Sequence, residues 1–149
     1  MRTIGRLLIS SFAIALAAGP IEIASAADAI MLRAGEATGP NAVFAFDKEA
    51  KSQRIVLQTT QIGVAGSRIE VFVDKAKRPA FRHVFTSAEC KFGDNGSKCE
   101  VIVPASSPAH AAILAQFKRG LVARVTVDDA GVMKMDQTAS LKGFTKSLR

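Results

Sequence analysis

Apolar and polar residues alternate with a period of two from Asn41 almost to the end of the chain, and this limits the fold more than any other feature. Ala42, Phe44 and Phe46 share one strand face, and Ile55, Leu57 and Thr59 share the next, before Gly63 to Ser67 turns the chain. Ile69, Val71 and Val73 then point one way while Arg68, Glu70 and Asp74 point the other. Phe81, His83 and Phe85 form a fourth set, and Cys99, Val101 and Val103 a fifth. Strands with one buried and one wet face belong to antiparallel sheets.

One segment breaks the alternation. Ser107 can cap a helix with Pro108 at its first position, Lys118 and Arg119 suit the last turn, and Gly120 suits a left-handed stop. Its apolar stripe is His110, Ile113, Leu114 and Phe117. Alternation resumes with Leu121, Ala123, Val125 and Val127, and Asp129-Ala130-Gly131 turns into a last strand from Val132 to Thr138. The fold expected is mainly β: an antiparallel sandwich or partly closed barrel with one short inserted α-helix, about 107–119. Near the start, Ile30 to Leu32 reads only as a short edge strand, because Gly35, Gly39 and Pro40 follow it.

Before the strands, Arg2 and Arg6 precede an apolar run from Leu7 to Ala18, and Ala24-Ser25-Ala26 offers the small residues that a signal peptidase reads. Residues 1–26 thus read as a secretory signal peptide, and 27–149 as a single exported β domain, periplasmic or secreted. No later stretch is long and apolar enough to span a membrane. Removing the leader takes two of 20 basic and one of 13 acidic residues, leaving 18 against 12, or +6. A basic exported chain favours anionic surfaces such as lipopolysaccharide, phospholipid headgroups or sulfated glycans, and the compartment disfavours nucleic acid. Lys75, Lys77, Arg78 and Arg82 form the densest basic cluster, and they are the candidate residues for anionic-surface binding. With no Trp or Tyr in the chain, that cluster lacks a stacking platform for bases or sugars.

Cys90 and Cys99 flank an Asp-, Asn- and Gly-containing reversal, and in an exported chain this pattern predicts a structural disulfide. A redox pair expects closer spacing, and two thiolates alone make a poor zinc site. Met133 and Met135, two apart on a strand, raise the alternative of a periplasmic small-molecule or copper(I) carrier, with core packing as the plainer reading. Asp128 and Asp129 lack the spacing of a calcium loop, and His83 and His110 sit among apolar neighbours as packing residues. No nucleophile elbow, phosphate loop, zinc helix or dinucleotide fingerprint occurs, so the sequence argues against an enzyme and asks for no metal or cofactor. A hydrolase with dispersed catalytic residues is the remaining enzymatic alternative.

A family resemblance rests on the second half. Cys90 and Cys99 bracketing a turn, Val101-Ile102-Val103, a helix ending Phe117-Lys118-Arg119-Gly120, a strand from Leu121, and the run Ser140-Leu141-Lys142-Gly143-Phe144 resemble the invasion-associated locus B family over residues 81–146. The N-terminal half departs from it, with no tryptophan and no third cysteine. The resemblance implies a small exported bacterial β domain, linked in some relatives to colonisation of host cells and without an established reaction. It also implies a structural set: Cys90 and Cys99 as a disulfide, Gly120 as the helix stop, and Leu141, Gly143 and Phe144 as a closing strand. The function expected is a non-enzymatic envelope or host-interaction module, whose partner is an envelope or host-cell surface protein or an anionic surface.

Overall fold

The computed structural model describes residues 24–26, 29–47, 54–94 and 96–148. Its strands in chain order are β1 (Ala24–Ala26), β2 (Ala29–Gly35), β3 (Asn41–Asp47), β4 (Arg54–Thr60), β5 (Arg68–Val73), β6 (Phe81–Val84), β7 (Cys90–Gly93), β8 (Gly96–Pro104), β9 (Val122–Asp129) and β10 (Val132–Ser140). A 3-10 turn (Ser87–Glu89) precedes β7, and the helices are α1 (Pro108–Arg119) and α2 (Phe144–Ser147). Two antiparallel sheets result, in the orders β1-β2-β3-β4-β8-β7 and β10-β9-β5-β6, and they stack as an open sandwich.

Alternation explains the core between them. Phe44, Phe46, Ile55 and Val103 from the larger sheet face Ile69, Val71, Val125 and Val127 from the smaller one, all buried. Helix α1 starts where its sequence predicts: the Ser107 hydroxyl accepts from the Ala109 N–H at 3.2 Å, and Pro108 holds the first position. Ile113 and Phe117 close the core, and the Phe117 ring meets Phe44, Phe46 and Phe144 edge-on or tilted at centroid distances of 5.3, 5.6 and 5.6 Å.

Four expectations change. β2 runs for seven residues between β1 and β3 instead of forming a short edge, because the turn residues from Glu36 to Pro40 lie beyond it. Gly35 takes φ +95° there, and the Asn41 amide donates to Glu36 O and Gly39 O to fix the reversal. Gly120 ends α1 in an extended conformation (φ −83°, ψ 167°), not the left-handed one. It is glycine for space: a Cβ would collide with Val73 Cγ1 and approach Leu141 Cδ1 to 3.1 Å.

Leu141, Gly143 and Phe144 form a turn leading into α2, with Gly143 left-handed at φ 84°, so the closing segment is a short helix and not a strand. Met133 and Met135 do not share a face. The pairing with β9 slips between them, which leaves Met133 53% exposed and Met135 4% exposed.

Candidate functional site

A left-handed residue builds the most distinctive surface. Asp74 follows β5 with φ 54°, a conformation that a short polar side chain able to bond locally tolerates better than most. Its N–H donates to Val122 O at 2.8 Å, and its Oδ1 accepts from the N–H groups of Leu121 (2.9 Å) and Val122 (3.0 Å). The loop after β5 is thereby clipped to the start of β9. From the C-terminal side, Leu141 N–H donates to Leu121 O at 2.8 Å, and the Thr145 hydroxyl donates to Lys118 O at 3.1 Å.

Three segments distant in sequence converge through these bonds, and each is basic. Lys75, Lys77 and Arg78 come from the β5–β6 loop, Lys118 and Arg119 from the end of α1, and Lys142 and Lys146 from the C-terminal close, and all seven side chains are exposed. Asp74 is the one acid within segments 74–78, 118–122 and 141–146, so their net charge is seven minus one, or +6. Its carboxylate already faces two amide N–H groups. Like charges gathered this way cost folding stability and raise the local concentration of anions.

Leu121 stands among these cations with 68% of its surface exposed, and Val122 with 39%. The alternation places Leu121 inward with Ala123 and Val125. The structure turns it outward, because Gly120 leaves the helix extended and Asp74 and Leu141 hold the Leu121 peptide at the rim of the sheet. A shallow hollow of about 210 Å³ lies beside it, lined by Val73, Asp74, Gln116, Arg119 and Gly120.

The sequence-level cluster divides. Lys75, Lys77 and Arg78 lie on the basic pole, whereas Arg82 lies on the outer face of β6, with its Nε 3.1 Å from Glu70 Oε1, an oxygen that Arg68 shares. Lys118, Arg119, Lys142 and Lys146 join the pole only through the tertiary contacts. The one available sequence signal was three basic runs of very low acid content.

A second concavity, about 540 Å³, lies over the β4–β8–β7 surface and carries both signs of charge: Glu89, Lys91, Lys98 and Glu100, with Gln58 and Ile102. Glu89 Oε2 lies 2.8 Å from His83 Nε2 and accepts the Thr86 N–H at 2.8 Å. Partial burial acts to raise the Glu89 pKa, but the hydrogen bonds from His83 and the Thr86 backbone outweigh it and hold the carboxyl below its ordinary range. His83 itself lies between the rings of Phe81 and Phe85, so the pair ties the 3-10 turn to β6. Mixed charges give this hollow no strong preference for one class of ligand.

Cys90 and Cys99 are bonded directly across β7 and β8, with Cα atoms 4.0 Å apart. His110 packs inside the helix stripe at 6% exposure, and burial pushes its pKa below the ordinary imidazole value. Asp128 accepts the Gly131 N–H at 3.0 Å and so serves the β9–β10 turn. Among the described residues, no three His, Cys, Asp or Glu side chains converge as a metal site. Compared with known proteins, the chain matches no family model, no curated protein and no solved structure.

Proposed function

We propose that this protein is an exported, non-enzymatic envelope or host-interaction module, resembling invasion-associated locus B proteins, that engages an anionic surface through its basic pole. The observation that carries the reading is the net charge of +6 on three segments clipped together around Asp74. Such a concentration costs self-repulsion within the fold, and an anionic partner relieves it. Export is supported by the leader pattern of Arg2, Arg6 and Ala24-Ser25-Ala26 and by the disulfide, since such bonds persist in oxidising compartments. Residues 1–23 of that leader lie outside the described residues, and its last three form β1. Cleavage after Ala26 would take β1 away and make β2 the edge of its sheet.

The carrier alternative gains nothing from the methionines, because Met133 and Met135 face opposite sides of the sheet. The test of the interaction reading is retention of envelope components by the tagged exported protein at low and raised salt. Retention should fall steeply with salt, since exposed charges are screened within about 10 Å at 0.1 M ionic strength. It should also fall in the double variant Lys75→Glu/Lys118→Glu. Retention indifferent to both salt and charge reversal would overturn the assignment of the basic pole.

A further inference from the structure

We infer that the anionic surface is a phospholipid bilayer and that Leu121 is the residue that enters it; the inference rests on the basic pole being an anion-binding site. Charge alone suits any polyanion, but Leu121 does not. It exposes 68% of its surface amid the cations of the pole, where a sulfated glycan offers it no apolar phase and an acyl layer does. A peptide group entering a low-dielectric layer is penalised if its N–H or C=O is unbonded. Here the Leu121 N–H donates to Asp74 Oδ1 and its C=O accepts from Leu141 N–H. The Val122 N–H donates to Asp74 Oδ1 and its C=O accepts from Asp74 N–H.

Leu121 and Val122 are therefore apolar side chains on a backbone whose polar groups are satisfied in advance. The lysines around them have long apolar stems, so their ammonium groups can stay at the headgroups while Leu121 lies deeper. Two weak signals, one electrostatic and one apolar, are the usual requirement for stable peripheral binding. Each basic residue near an anionic leaflet contributes about fivefold to partitioning, and burial of one leucine about tenfold.

The experiment compares the disulfide-bonded exported protein on phosphatidylglycerol/phosphatidylcholine vesicles, on phosphatidylcholine vesicles and on immobilised heparin. Binding is expected to the anionic vesicles and to heparin, but not to neutral vesicles. Leu121→Ser should weaken vesicle binding about tenfold and leave heparin elution unchanged, whereas Lys118→Glu/Lys142→Glu should weaken both. The chain contains no tryptophan, so Leu121→Trp provides a single indole, whose emission should shift to the blue on anionic vesicles and not with heparin. Full vesicle binding by Leu121→Ser, or an unshifted indole on bound vesicles, overturns the insertion while leaving a charge-dependent surface. Absence of binding to both vesicles and heparin overturns the basic-pole reading beneath it.

Discussion

Asp74 shows how one residue serves both the fold and the proposed site. Its left-handed turn ends β5 and its carboxylate bridges two amides at the start of β9, so the one acid within the three basic segments is the residue that clips two of them together. His110 illustrates the opposite case, a titratable group whose role is packing. Burial disfavours its charged form, so its folded pKa lies below the 6.5 of the unfolded chain. Between those values the unfolded state binds more protons, and stability should be full above pH 6.5 and decline as the pH falls through that region. Urea midpoints should therefore drop on mild acidification, and His110→Gln should flatten the decline. A midpoint that rises on acidification would contradict the assignment. Sequence placed His110 on the buried stripe correctly, because helical spacing alone fixes which face a residue occupies.

Among the elements, the β7–β8 hairpin depends most on a covalent tie. β7 is a four-residue edge strand with little buried side-chain surface, and the disulfide from Cys90 to the fully buried Cys99 fastens it to the core. Removing the bond by Cys90→Ser/Cys99→Ser should cost about 2.5–3 kcal/mol on the chain-entropy argument for a loop of this length. Denaturant unfolding of the oxidised protein and the variant measures it, and equal stabilities would mean that the hairpin is held without the bond. The limits of helix α1 were legible, its start through the local cap of Ser107 and Pro108 and its end at Arg119, although Gly120 does not take the left-handed conformation expected of it. What Gly120 does was not legible. Its small size is needed for contacts with Val73 and Leu141, which lie far away in sequence.

At the scale of the whole molecule, the C-terminus completes the core. Phe144 on α2 is fully buried and meets Phe46 at 4.8 Å and Phe117 at 5.6 Å between centroids, joining the last residues to β3 and α1. Phe144→Ala removes that ring from a packed interior and should destabilise by about 3–5 kcal/mol in urea unfolding. Unchanged stability together with lost surface binding would instead place Phe144 in an interface. The outer face of the smaller sheet is pinned differently: Arg124 pairs with Asp136, and Glu70 serves both Arg68 and Arg82. That pairing gives Arg82 a carboxylate partner on the outer face of the sheet, although it lies close to Lys75, Lys77 and Arg78 in sequence.

The sequence by itself determined the β class, most strand faces, the helix limits and the cysteine pair, because alternation, capping and turn chemistry act over a few residues. Only the tertiary structure decided that the sheets stack open as a sandwich, that β2 runs for seven residues, and that Leu121 points outward. It alone brought Lys118, Arg119, Lys142 and Lys146 beside Lys75, Lys77 and Arg78. The physical reason is range: the bonds from Asp74 to Leu121 and from Thr145 to Lys118 span 47 and 27 residues, and no local pattern encodes a partner so far along the chain.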